Sequence, residues 1–153
     1  MNGNVSIFIE GIVHGEEESR ITTKASGKYH VLDDVHILKY MESAVIRDEN
    51  TDTMDKESIS NDVDCLNMIK ISPGIVEMMK TGDNSTHMVF DLSRPTQSVY
   101  ETPYGNLYFQ IQTTRIDIEE KEKKLILNME YSLSHEDSHI SDNRIYLSAD
   151  ETI

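Results

Sequence analysis

The most regular stretch of the chain is Lys124 to Ser134, where Leu125, Leu127, Met129, Tyr131 and Leu133 alternate with Ile126, Asn128, Glu130 and Ser132. A period of two is what a strand with one buried face requires, because successive side chains leave it on opposite sides. The same period runs through Val5, Ile7 and Ile9, through Val35 and Ile37 opposite His36 and Leu38, and through Thr86, Met88, Phe90 and Leu92 opposite His87 and Val89. Turn-forming residues separate the runs: Gly15, Asp33 with Asp34, Pro73 with Gly74, Gly82 with Asp83 and Asn84, and Pro95 after Arg94. These signals predict ten strands: Val5 to His14, Arg20 to Val31, Val35 to Ser43, Asp64 to Ser72, Ile75 to Thr81, Thr86 to Leu92, Thr96 to Tyr100, Leu107 to Ile118, Lys124 to Ser134 and Asn143 to Ser148.

Three details refine the pattern. Between Leu107 and Ile118 the apolar phase changes, from Leu107, Phe109 and Ile111 to Ile116 and Ile118, which predicts a bulge near Thr113. Gly27 inside the second strand marks a bend of the kind that lets a sheet curve and close. The charged run Glu119 to Lys124 suits the tip of a hairpin. Short antiparallel strands without a convincing helix imply one all-β domain, a barrel or a sandwich. The polar stretch Ala44 to Val63 reads as an acidic loop. Ile59, Val63 and Leu66 there fall at helical spacing, but Ser58, Ser60, Asn61 and Asp62 are weak helix formers.

Composition narrows the partners. The 153 residues carry 28 acidic and 14 basic side chains, a net charge of −14. Affinity for phosphate backbones comes from Lys and Arg displacing counterions, so nucleic acid and anionic membranes are poor matches for this chain. Cys65 is the sole cysteine, which excludes a disulfide within the chain and suits a reducing compartment. The start Met1, Asn2, Gly3, Asn4 carries no positive charge and no long apolar run occurs, so neither a signal peptide nor a membrane helix is expected and a cytoplasmic location is.

The run Tyr100, Glu101, Thr102, Pro103, Tyr104, Gly105, followed by Leu107, resembles the YwiB-like family of small uncharacterised bacterial proteins. The amino-terminal strand, the segment Gly27, Lys28, Tyr29, the later long hairpin and a final strand after Ser141 follow that family's order, so the resemblance spans nearly the whole chain. It implies a calycin-like antiparallel β-barrel of about 8 to 10 strands, lipocalin-like in architecture, with no established activity and no catalytic residues to carry over. Ala44 to Val63 is longer than the family's usual link. The Pro103 segment itself reads as a tight turn, with Pro fixing φ, Gly105 relaxing the backbone and Tyr104 packing across it.

Candidate chemistry is sparse. His135, Glu136, Asp137, Ser138, His139 spells the H-E-x-x-H of zinc hydrolases, whose chemistry needs a helical turn to bring both imidazoles to one metal. On a strand the two histidines would stand about 13 Å apart along the axis. Asp142 stands where the extended motif has Gly, and Ile145 where it has its third His, so a polar hairpin turn is the expected structure. Asp48, Asn50 and Asp52 begin like a calcium loop, but Thr53 replaces the turn Gly and Ile59 the closing Glu. Cys65, with Asp64 and Asn67 as neighbours and no His nearby in sequence, reads as a small buried hydrophobe. Met41, Met68, Met78, Met79, Met88 and Met129 lie on predicted strands and suit a core or an adaptable pocket.

The function these features favour is non-enzymatic binding of a small, partly apolar molecule in the mouth or lumen of a barrel, without cofactor or metal. The inward candidates are Met88, Phe90, Leu107, Phe109, Leu125, Met129 and Tyr131, with Tyr131 and Tyr104 expected to orient polar contacts. The rival is an interaction module with a filled barrel that engages a basic protein partner through its acidic surface or an exposed strand edge. A third reading, a metal-dependent hydrolase, rests only on His135 to His139.

Overall fold

The ten strands predicted from alternation are present, β1 (Gly3–His14), β2 (Glu18–Leu32), β3 (Val35–Ile46), β4 (Ser58–Ser72), β5 (Ile75–Thr81), β6 (Thr86–Asp91), β7 (Thr96–Thr102), β8 (Gly105–Lys121), β9 (Lys124–His135) and β10 (Ser138–Glu151). The structure, a computed structural model, describes residues 3–15, 17–46, 58–82 and 85–152, with the side chains of 42–46 and 58–64 left aside. Every strand pairs antiparallel with its sequence neighbours, and β1 pairs with β10, so the sheet closes into a barrel. Among the described residues there is no helix. Closure of this kind gives every strand two neighbours, although β2 meets β3 only over Gly27–Leu32.

The register puts the alternating apolar set on the inside. Leu125, Leu127 and Met129 on β9 stand beside Ala149, Leu147 and Ile145 on β10, and Ala149 and Leu147 continue to Ile7 and Ile9 on β1. On the other wall Leu38, Ile69 and Met78 align across β3, β4 and β5, while Ile71, Val76 and Phe90 align across β4, β5 and β6. These side chains form one packed cluster, and Phe90, Ile7, Leu38, Ile111, Leu125, Leu127, Met129 and Leu147 are fully buried in it. A slip of one residue in any strand would turn its whole apolar set to water, so this cluster specifies the register.

One irregularity falls where the sequence placed it. Pairing of β8 with β9 shifts between Thr113 and Arg115, so that Ile111 and Thr113 before the shift, and Ile116 and Ile118 after it, all face the core. Gly27 sits where β2 and β3 begin to pair, and a Cβ there would lie 2.5 Å from the Lys39 carbonyl oxygen and 2.8 Å from Ile7 Cδ1. Gly27→Ala is therefore expected to cost about 1–3 kcal/mol, read from urea unfolding at unchanged m-value, because main chain rather than a flexible side chain must move. A change under about 0.5 kcal/mol would mean the strands are not held this close.

The acidic segment departs from expectation at both ends. Val45 pairs with Ile59 and Ile46 with Ser58, after a shift between Ser43 and Val45, so strand replaces the predicted loop at Ala44–Ile46 and Ser58–Val63. Ile59, Val63 and Leu66 accordingly belong to β4, and the alternative short helix is excluded there. Main-chain pairing needs no apolar side chains, and composition alone therefore hid it. The calcium-like positions Asp48, Asn50 and Asp52 lie outside the described residues.

Candidate functional site in the upper interior of the barrel

The connections alternate between two ends. The lower end carries Asp33–Asp34, Pro73–Gly74, the link from β6 to β7 and Glu122–Lys123; the upper end carries the links from β1 to β2, β5 to β6, β7 to β8 and β9 to β10. Inward side chains change character between them. The middle is aliphatic, but toward the upper end β8, β9 and β10 present Thr113, Tyr131 and Asn143 side by side, Thr113 opposite Tyr131 and Tyr131 opposite Asn143.

This row is the most unusual polar feature inside the barrel. Thr113 is 3% exposed and Asn143 7%, yet Thr113 Oγ1 and Asn143 Nδ2 have no hydrogen-bond partner among the described residues. The carbonyl half of Asn143 is occupied, since Ser141 Oγ donates to Asn143 Oδ1 at 3.2 Å. Each buried polar group without a partner costs about 1–3 kcal/mol, so two in one row are an expensive arrangement for packing alone. Tyr131 lies between them with its ring edge on Phe90, centroids 4.8 Å apart, which fixes the phenol against the core.

Burial pushes the Tyr131 phenol from its ordinary 10.0 up to about 12. The folded state therefore keeps this proton after the unfolded chain has lost its own. Stability from this group is intact below about pH 10 and falls as pH rises through about 12. Tyr131→Phe, compared with the native chain in urea melts across that window, is expected to remove part of the alkaline loss. An identical alkaline loss in both proteins would contradict the burial of the hydroxyl.

The eight residues expected to line a ligand site do not form one surface. Phe90, Leu125 and Met129 are sealed in the core, and Met88 and Tyr131 pack against it. Phe109 is half-buried near the upper end, its ring centroid 5.6 Å from that of His135. Leu107 shares the inward phase but stands beyond the core, 46% exposed. Tyr104 is 100% exposed, on the two-residue turn between β7 and β8, and neither packs across that turn nor reaches the interior. The turn is held instead by Thr102, whose hydroxyl donates to the Gly105 carbonyl at 2.6 Å and accepts from the Tyr104 amide at 3.2 Å. Leu125 lies toward the lower end, at the start of β9. Of the eight, Tyr131 belongs to the polar row and Phe90 touches it, whereas sequence reading did not single out Thr113 and Asn143. Their inward phase was legible, whereas their lack of partners was not.

Residues 7–147 match the family described as domain of unknown function DUF1934. The chain belongs to the DUF1934 family. A similar fold is that of the ywiB protein from Bacillus subtilis, whose crystal structure superposes with a TM-score of 0.78 at 16% identity over 99% of this chain and 94% of that one. At that identity the likeness carries the fold, and it bears out the YwiB-like, calycin-like barrel that the Tyr100 to Gly105 run implied. A comparison with curated proteins gave no match.

The zinc-like motif of this DUF1934 chain has a different job. Glu136 and Asp137 have φ of 49° and 65°, the left-handed pair of a two-residue hairpin turn, with His135 opposite Ser138. His135 Nδ1 lies 2.8 Å from the Tyr108 carbonyl oxygen, and His139 Nε2 lies 3.0 Å from Asp142 Oδ1. No helical turn brings the imidazoles together. Cys65 is buried, as a small hydrophobe would be. Among the described residues no helix is long and apolar enough to cross a membrane.

Proposed function

We propose that this DUF1934 protein is a non-enzymatic binder of a small, partly apolar molecule, held in the upper interior against Tyr131. The observation that supports it is the pair of buried atoms without partners, Thr113 Oγ1 and Asn143 Nδ2, flanking that ring. A ligand with an apolar body and one acceptor oxygen answers both needs. Its body covers Met88 and the Tyr131 ring, and its oxygen accepts from the Asn143 amide. The row offers a phenol, a hydroxyl and an amide but no acid paired with a base, so binding rather than catalysis suits it.

The test is a thermal-shift screen of small amphiphiles. At least one compound class is expected to raise the melting temperature with concentration, binding adding about 2.7 kcal/mol of stability at a free concentration a hundredfold above Kd. The double variant Thr113→Val, Asn143→Leu is expected to lose that response and yet stay within about 1 kcal/mol of the native chain without ligand, because it removes two orphaned polar groups and orphans one, Ser141 Oγ. A double variant that unfolds readily, or a response it leaves unchanged, would sink the reading.

A second reading keeps the barrel as an interaction module with a basic protein partner. It is supported by the edge of β2, which pairs with β3 only over Gly27–Leu32 and leaves 18–26 with β1 as its described neighbour. The Thr113 and Asn143 changes would not touch such an interaction.

A further inference from the structure

The lower end holds a second polar arrangement, built around His36. This residue stands on β3 two positions after the turn residue Asp34, faces inward and is 6% exposed. Its ring stacks on Tyr29 at a centroid distance of 5.9 Å, and Tyr29 Oη lies 2.6 Å from His36 Nδ1. On the opposite side His36 Nε2 faces Glu120 Oε2 at 3.8 Å. A groove of about 500 Å³ opens over this pair, walled by Val31, Pro73, Ile116 and Ile118, with Asp34 also lining it.

Proton positions follow from this network. The Glu120 carboxylate beside Nε2 favours the ring hydrogen on that nitrogen and leaves Nδ1 to accept from the Tyr29 hydroxyl, whose phenol burial, and then the Glu120 charge, push above its ordinary 10.0. Nε2 then carries the ring hydrogen and points it at the carboxylate. At 3.8 Å the two are too far apart for a direct hydrogen bond, but an oxygen seated beside them, off the line that joins them and about 2.8 Å from each, bonds to both. The site therefore offers one donor and one acceptor converging on the same point. A hydroxyl oxygen satisfies both at once, accepting from Nε2–H and donating to Glu120. An ammonium supplies only donors and a carboxylate only acceptors, so each leaves one side of the pair unanswered.

We propose that the groove at the lower end binds a neutral, hydroxyl-bearing molecule with an apolar face, its hydroxyl bridging His36 Nε2 and the Glu120 carboxylate and its carbon skeleton lying on Val31, Ile116 and Ile118. This site is separate from the row at Tyr131, at the other end of the barrel, and does not depend on it.

The probe is 1,2-hexanediol, compared with hexylammonium and hexanoate at matched concentrations, followed by the ring resonances of His36 and Tyr29 in NMR titrations of the full chain. The diol is expected to shift both rings saturably, and the two ions to do so at least several-fold more weakly. Glu120 is largely exposed, so Glu120→Ala is expected to fold normally and to weaken diol binding tenfold or more. Tyr29→Phe, which removes the hydroxyl that bonds to Nδ1, is expected to weaken it several-fold, and His14→Ala, exposed at the upper end of β1, to leave it unchanged. Hexylammonium binding as tightly as the diol would make this a cation site and overturn the proposal. So would the absence of any saturable shift, or diol affinity that survives Glu120→Ala.

Discussion

Phe90→Ala is expected to lower the unfolding free energy by about 3–5 kcal/mol, among the largest losses of any single truncation in this barrel. Phe90 is fully buried on β6, beside Val76 of β5 in the ladder, and its ring meets the edge of Tyr131. Removing it deletes the transfer energy of an aromatic side chain and an aromatic pair worth about 0.5–1.5 kcal/mol beyond its area. It also leaves a void that a closed barrel cannot easily collapse, because ten hydrogen-bonded strands fix the wall. For a domain of this size each kcal/mol is about 2–4 °C, so the melting temperature should fall by roughly 6–20 °C. Phe90→Leu, which keeps most of the volume, should recover much of the loss. A drop below about 1 kcal/mol for the alanine variant would show that the core is not sealed at this level, and the upper interior would then extend deeper than Tyr131.

Much of this architecture was legible because it is written in local periodicity. The alternation from Leu125 to Leu133 fixes which face of β9 is buried, and the phase change around Thr113 announces the register shift seen there. Gly27 stood out as a glycine inside a strand, and its place is explained by close approach, since a side chain at that point would collide with the neighbouring strand. The acidic ends of β3 and β4 were not legible, since the pairing of Val45 with Ile59 and Ile46 with Ser58 rests on main-chain hydrogen bonds to which side-chain polarity is silent. The candidate site was half legible for a related reason. Alternation places Thr113, Tyr131 and Asn143 on inward phases, but whether a buried hydroxyl or amide finds a partner depends on strands far apart in sequence. Tyr104 misled because an aromatic residue in a turn was taken to pack, whereas two-residue turns at a barrel rim project their side chains into water.

Met129→Trp separates a filled middle from an empty one. Were the lumen open at this level, a tryptophan would occupy it at little cost and merely displace a ligand. Met129 is instead fully buried, opposite Ile116 on β8 and Ile145 on β10, within the continuous cluster that also holds Leu127 and Leu147. The larger ring must push these neighbours off their rotamers, which costs about 1–3 kcal/mol. Its indole N–H enters an aliphatic layer and, without a partner, adds about 1–3 kcal/mol. The expected outcome is a loss of about 2–6 kcal/mol by urea unfolding, or failure to accumulate as folded protein, whereas Met129→Leu should stay within about 1.5 kcal/mol of the native chain. A Met129→Trp protein as stable as the native one would show unfilled space beneath Tyr131 and return the ligand to the centre of the barrel. The expected loss leaves the upper rim of the core as the place for the proposed ligand, beside Thr113 Oγ1 and Asn143 Nδ2, which have no partner among the described residues.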